Sequence, residues 1–130
     1  MVSRSSDYTV TTAADPESAL SAICTHAARK GFQVLDVHDL GKLSEGYGAT
    51  EDPAYVAELC NMEPATDMLP CNALASFMMP CKIAVYQKDG ETHISALRPN
   101  PVAQLFPQFA PHLEEIYRVM LSIVKEFAAT

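Results

Sequence analysis

A two-residue turn, Asp89-Gly90, separates two runs of alternating apolar and polar residues, and it constrains the fold more than any other feature of the chain. Asp-Gly in this setting is a strong signal for a β-hairpin, and a two-residue loop sets the register of the two strands. Lys88 then pairs with Glu91, and the pairs continue outward until Cys81 faces Arg98. Because alternating side chains share a face, one side of the hairpin is apolar and should be buried. That side carries Ile83, Val85, Ile94 and Ala96.

The rest of the sequence predicts an α+β domain, with an antiparallel sheet of about four to five strands and helices packed on it. A helix begins after Asp15, a good N-cap residue followed by Pro16, and ends before Gly31. β-branched and aromatic residues predict further strands, and apolar spacing predicts two short helices and a C-terminal amphipathic helix. The strands are expected at 8–12, 32–37, 79–87 and 92–97, and the remaining helices at 39–43, at 62–69 and from 111 onward.

Residues 54–60 fit two interpretations. Asp52-Pro53 suits the start of a helix, whereas Tyr55 and Val56 favour a strand. From the residues themselves, both interpretations stay open.

The composition indicates one globular domain over residues 1–130. A net charge of −7 argues against a nucleic-acid partner, because binding phosphates requires clustered cations. No apolar run approaches the ~18 residues of a membrane helix, so no membrane partner is expected. The N-terminus lacks the apolar run of a secretory signal. Four cysteines in a chain of this size favour reduced thiols in the cytoplasm, and an exported form whose signal has been removed is the alternative.

An ordered series of short motifs resembles a known family. Cys60-Asn61 is followed by Met79-Pro80-Cys81, then by Val85-Tyr86, the Asp89-Gly90 turn and Ile94-Ser95. This order is similar to the bacterial and archaeal domain of unknown function family 302, whose members show Cys-Asn-Pro, a helix, Leu-Pro-Cys and a strand ending in Tyr. Met62 and Met79 depart from the family's proline and leucine, and Cys71-Asn72 is an additional pair.

The resemblance implies a compact α+β domain with an antiparallel sheet, frequently a homodimer, and it favours a strand at 54–60. It divides the chain into a family-like core at 8–99 and a C-terminal helical extension at 100–130. It implies no established activity and names no cofactor, so an enzyme is the less favoured expectation. The positions that match the motif are the candidate ligand-binding residues, namely Cys60, Asn61, Pro80 and Cys81.

The hairpin register gives the first chemical hypothesis. A guanidinium close to a thiol favours the thiolate, which is the nucleophilic and metal-binding form. Arg98 opposite Cys81 would then make Cys81 a partly activated thiol. In the favoured interpretation, Cys81 is a small buried hydrophobe and Arg98 extends outward to solvent.

Metal binding gives the second hypothesis. The cysteines at 60, 71 and 81 lack the short spacing of structural zinc sites, and neither His26 nor His38 has a partner at ligand spacing. A soft site for Cu(I) remains, because thiolate and thioether sulfurs suit that ion. Its ligands would be Cys60, Cys81, Met62 and Met79. Methionines that fill gaps in the core are the alternative.

The sequence is consistent with two further classes of function, a thiol redox protein and an interaction module. If the strand ending at Cys60 lies beside the strand starting at Cys81, the two thiols could form a reversible disulfide. A dimeric interaction module would explain the C-terminal helix without any chemistry. We expect a small domain that binds a small ligand or a soft metal near Cys60 and Cys81 without turnover. A thiol redox or sulfur-transfer protein and the interaction module are the alternatives.

Overall fold

A computed structural model describes residues 7–47, 52–71, 81–97 and 106–128. The strands in this part of the chain are β1 Asp7–Thr12, β2 Phe32–Asp39, β3 Ala54–Asn61, β4 Cys81–Lys88 and β5 Glu91–Leu97. The α-helices are α1 Pro16–Arg29, α2 Leu40–Leu43, α3 Met62–Met68 and α4 Ala110–Lys125, and a 3₁₀ turn at Pro107–Phe109 precedes α4. The strands form one antiparallel sheet in the order β1-β5-β4-β3-β2, which confirms the predicted α+β fold.

The central hairpin has the predicted register. Lys88 pairs with Glu91, and the pairs continue through Tyr86–His93 to Ile83–Ala96. Asp89 and Gly90 have φ values of 53° and 77°, which are the positive values that this two-residue turn requires. Arg98, the predicted partner of Cys81, lies outside the described residues, as do Met79 and Pro80.

The first helix begins and ends where its capping residues predict. The Asp15 carboxylate accepts a hydrogen bond from the Ser18 backbone N–H at 3.1 Å, which satisfies one of the free donors of the first turn. Lys30 caps the other end, and Gly31 turns the chain into β2 with a φ of 90°, a value that favours glycine. This part of the fold is therefore encoded locally.

Residues 54–60 form a strand, which is the interpretation favoured by the family resemblance. Ala57 and Leu59 point into the core and are fully buried, opposite Ile83 and Cys81 of β4. The burial of these two side chains between neighbouring strands outweighs the helix-start signal of Asp52-Pro53.

The core lies between one face of the sheet, here called the core face, and the two long helices. Ile23 of α1 and Ile123 of α4 are fully buried against it. The central strands supply fully buried aliphatic side chains to the same cluster, which are Ala57, Leu59, Ile83, Val85, Ile94 and Ala96. The predicted apolar face of the hairpin thus forms the sheet side of the core.

The opposite side of the sheet, here called the outer face, carries most of the polar residues of the strands, together with Val56 and the buried Cys60. β2 forms one edge of the sheet, and its pairing with β3 skips Leu35 between Val34 and Asp36. This one-residue bulge shifts the alternation of β2. As a result Val34 and Val37 lie on the core face, whereas Asp36 and His38 lie on the outer face. Within the described residues, no helix has the length and apolar character needed to cross a bilayer.

Candidate functional site

The fold brings together the two chain segments that carry the motif cysteines. Cys60 is the second-last residue of β3, Cys81 is the first residue of β4, and the two strands are neighbours with Leu59 opposite Cys81. Because Cys60 is one position beyond the residue that faces Cys81, strand alternation directs the two side chains to opposite faces of the sheet. Cys60 is only 5% exposed, Cys81 is half-buried, and both are free thiols.

The environment of these thiols keeps them protonated. Burial, with a smaller contribution from the nearby Cys60, raises the pKa of the Cys81 thiol to about 12. Burial also raises the pKa of Cys60. The shift at Cys81 is opposite in direction to the one expected of an activated thiol. Arg98, the residue predicted to activate it, lies outside the described residues.

Asn61 has a structural role in the described part of the chain. Its side-chain oxygen accepts a hydrogen bond from the Glu63 backbone N–H at 3.3 Å, so Asn61 caps α3 as that helix leaves β3. Met62 is the first residue of α3 and is 40% exposed. The Cys60-Asn61 motif is therefore also a strand-to-helix junction. Asn61 remains a candidate ligand-binding residue, as does Pro80 outside the described residues. Met62 remains a candidate ligand of a soft metal, as does Met79, which also lies outside the described residues.

A second polar cluster was missed by the sequence analysis. The sequence offers His38 no partner at ligand spacing, but the sheet places one beside it from the neighbouring strand. His38 Nε2 lies 2.5 Å from Glu58 Oε1 on the neighbouring strand and 3.9 Å from Asp36 Oδ2. One ligand atom from each of Asp36, His38 and Glu58 can be chosen so that all lie within 4.8 Å of one another. The Asp36-x-His38 spacing was visible in the sequence, but the partner on β3 was not, because the β2–β3 register depends on the bulge.

The groups around His38 shift its pKa in opposite directions. The hydrogen bond to Glu58 raises the pKa of His38 above its usual value, and the Asp36 carboxylate adds to that shift. Partial burial of the ring and the positive charge of Lys82 act in the opposite direction. Lys82 lies directly across from Glu58 in the β3–β4 register. The cluster therefore combines one imidazole, two carboxylates and one nearby cation.

The polar residues of the hairpin form a network without a nucleophile–base pair. Ser95 Oγ lies 2.6 Å from Thr9 Oγ1 and 3.1 Å from the Tyr86 hydroxyl. The His93 ring stacks on Tyr86 at 5.3 Å, and its Nδ1 donates to the Glu91 carbonyl at 3.2 Å. Since these contacts engage Ser95 and His93 with other groups, the arrangement does not activate Ser95 for acyl transfer.

Comparison with known proteins identifies the family. The family described as "Domain of unknown function DUF302" matches residues 8–127, a range that includes α4. A structure described as uncharacterised conserved protein DUF302 from Bacillus stearothermophilus is similar to this chain with a TM-score of 0.86 at 22% sequence identity. The similarity covers 95% of this chain and 98% of that one. At this identity the likeness concerns the fold alone. No curated protein matches the sequence. The chain therefore belongs to the DUF302 family.

Proposed function

We propose that the domain is a binding module that takes up one soft metal ion or a small thiol-seeking ligand near Cys60 and Cys81, without turnover. The observation that carries this proposal is the pairing of β3 with β4, which brings two distant cysteines to one end of the sheet. The influence of Cys60 on the pKa of Cys81 supports their proximity. Sulfur ligands of this kind suit Cu(I).

The protonation state of the two thiols supports binding over catalysis. A thiol whose pKa is about 12 supplies almost no thiolate at neutral pH, so Cys81 is a poor nucleophile. A soft metal can still displace the proton, because the metal–sulfur bond replaces the sulfur–hydrogen bond. Met62, two residues after Cys60 and partly exposed, adds a thioether that could complete the site.

The test is a Cu(I) titration of the reduced full chain under anaerobic conditions, against a chromophoric Cu(I) chelator. Because the two side chains leave the paired strands on opposite faces, a single ion reaches both sulfurs only when the end of β3 or the start of β4 rearranges. We expect one Cu(I) per chain, and we expect Cys60→Ala and Cys81→Ala each to weaken that uptake. Cys24→Ala is the matched control, because Cys24 is another partly buried free thiol but lies on α1. Absence of uptake, or equal uptake by wild type and Cys81→Ala, would contradict the proposal. Circular dichroism confirms that each variant is folded.

A reversible Cys60–Cys81 disulfide, the redox alternative, has less support. Side chains offset by one residue on paired strands point to opposite faces, which hinders both a shared ion and a disulfide. The disulfide demands the closer approach, because it needs a sulfur–sulfur bond of about 2.05 Å and Cβ atoms directed toward each other. Mass spectrometry after mild oxidation distinguishes the two ideas. The redox alternative requires an internal link between these two cysteines, and the binding proposal does not.

The second candidate is a homodimer formed along β2. This edge strand exposes apolar side chains, and Leu35 at the bulge is 51% exposed, with Val34 and Val37 also accessible. An exposed apolar edge can pair with the same edge of a second copy about a two-fold axis, which makes the contact self-complementary. The partner proposed is therefore another copy of this chain.

Light scattering coupled to size-exclusion chromatography tests the dimer. We expect twice the 14.1 kDa chain mass for the wild type and the mass of one chain for Leu35→Lys. Leu69→Lys is the control, because Leu69 is also exposed but follows α3, away from β2. A wild-type protein that remains a monomer at high concentration would refute this candidate.

A further inference from the structure

Three side chains able to bind a metal converge on the outer face of the sheet beside its β2 edge. Asp36 and His38 are two residues apart on β2, so they share a face, and Glu58 of β3 pairs directly with Asp36. The bulge at Leu35 is what turns Asp36 and His38 toward this face. His38 and Glu58, which are 20 residues apart in the sequence, are thus in contact on the sheet.

The distances suit a small cation. Ligand atoms about 2.1 Å from a shared ion lie about 3.0–3.4 Å from one another in octahedral or tetrahedral geometry. His38 Nε2 is now 2.5 Å from Glu58 Oε1 and 3.9 Å from Asp36 Oδ2, so one contact must lengthen and the other shorten by less than about 1 Å. Side-chain rotation on an exposed strand is sufficient for such a change.

One of the carboxylates is already oriented. The Val37 backbone N–H donates to Asp36 Oδ1 at 2.8 Å, while Oδ2 is the oxygen nearer to His38. Such a hydrogen bond to the non-ligating oxygen fixes the direction of a metal-binding carboxylate. The Asp36 side chain is 64% exposed and that of Glu58 is 24% exposed. A bound ion would therefore have protein ligands on one side and water on the other.

The donor types select the class of ion. One imidazole nitrogen and two carboxylate oxygens, without sulfur, suit divalent ions of the first transition row such as Mn²⁺ and Zn²⁺. In the described part of the chain, this is the one group of three acidic, histidine or cysteine side chains whose ligand atoms converge in this way. We propose that Asp36, His38 and Glu58 form a binding site for a divalent transition-metal ion on the outer face of the sheet.

Lys82 is the neighbouring group that disfavours metal binding at this site. It lies across from Glu58, and its ammonium disfavours a second cation nearby. Among the described residues no ion pair within 4.0 Å joins Lys82 to Glu58, so a metal would compete only with the His38 contact for this carboxylate and not with Lys82. Replacing Lys82 with Gln should therefore raise the affinity, by about two- to fivefold for a charge at an exposed site.

The competing interpretation is that His38 and Glu58 form an ordinary ion pair with no ligand. Mn²⁺ distinguishes the two, because it prefers oxygen and nitrogen over the sulfurs of the cysteine site. The experiment adds substoichiometric Mn²⁺ to the ¹⁵N-labelled, reduced full chain and follows the amide signals by NMR. Free Mn²⁺ measured by electron paramagnetic resonance gives the dissociation constant.

We expect paramagnetic broadening centred on the amides of residues 36–38 and 57–59, reversed by EDTA. Glu58→Gln and His38→Gln should each weaken Mn²⁺ binding by at least about tenfold. His93→Gln is the matched control, since His93 is a histidine of the same sheet but stacks on Tyr86. It should change the affinity by less than about twofold.

Two results would contradict the proposed metal site. Broadening spread over all acidic surfaces, or an unchanged Mn²⁺ affinity in Glu58→Gln, would leave only an ordinary ion pair. The Lys82→Gln variant is the control for misfolding. Loss of the folded site would weaken Mn²⁺ binding, whereas this variant is expected to bind Mn²⁺ more tightly. Zn²⁺ should displace Mn²⁺ from the same residues. Mn²⁺ binding should persist in Cys60→Ala and Cys81→Ala, so the result is independent of the Cu(I) proposal.

Discussion

At the scale of single residues, the environment of each thiol matters more than its place in a motif. Cys60 and Cys81 are the cysteines that match the family pattern, yet burial raises the pKa of both. Cys71, which departs from that pattern, is exposed after α3 and donates to the Asp67 carbonyl at 3.4 Å. The exposure of Cys71 and the burial of Cys60 and Cys81 therefore predict a different order of thiol reactivity from the one that the motif suggests.

This ordering gives a prediction for thiol labelling. At pH 8 a thiol with a pKa of about 12 is thiolate in roughly one molecule in 10⁴, so Cys81 should react very slowly in the folded protein. Cys71 should react first with an aromatic disulfide reagent, and Cys71→Ala should remove that fast phase. Peptide mapping assigns the labelled residue. Labelling of Cys81 at the rate of Cys71 would contradict the burial argument.

At the scale of elements, the two long helices are joined by a charged contact at their C-terminal ends. Glu126, which caps α4, pairs with His26 of α1, and Lys30 Nζ lies 3.5 Å from its other oxygen. The hydrogen bond to His26 lowers the pKa of Glu126 from its usual 4.5. A carboxyl group with a lowered folded-state pKa stabilises the fold above its unfolded pKa, and this contribution is lost as the pH falls.

The contact predicts how stability depends on pH. At pH 6 the wild type should melt at a higher temperature than Glu126→Gln, and the difference should shrink as the pH falls below 4.5 and Glu126 takes up its proton. Because the pair is exposed, the effect should be small and should weaken in high salt. Glu114→Gln on α4 is the control for loss of a negative charge. A difference that persists unchanged at pH 3 would contradict the linkage.

The elements also show which parts of the fold the sequence can predict. The hairpin and the caps of α1 were predicted correctly because their signals lie within a few residues of one another. The strand at 54–60 could not be chosen from its own residues, since its conformation depends on burial between β2 and β4. The Asp36, His38 and Glu58 cluster was missed for the same reason, because the bulge at Leu35 has no distinct sequence signal.

At the scale of the whole molecule, stability depends on the single core between the sheet and the helices. Ile94 is fully buried on β5, whereas Leu97 on the same strand is 57% exposed. Ile94→Ala should lower the free energy of unfolding by about 2–5 kcal/mol, because it removes buried methyl groups and leaves a cavity. That is a large share of the roughly 5–15 kcal/mol typical of a domain.

Denaturant unfolding of both variants measures this difference. Leu97→Ala is the matched control and should change the free energy of unfolding by less than about 0.5 kcal/mol, as is usual for exposed positions. Equal losses in the two variants would show that the core does not extend through β5 as described.

The bulge in β2 also determines which length changes the sheet can accept. The two halves of this strand follow separate alternations that meet at Leu35, the residue without a cross-strand partner. Deleting Leu35 would merge the two halves into one regular strand and leave every other side chain on its present side. Deleting one residue from the unbroken part of β4 would instead exchange inward and outward side chains along the rest of that strand. Among the strands of this sheet, β2 is therefore the place where a family member could lose a residue and keep both surfaces.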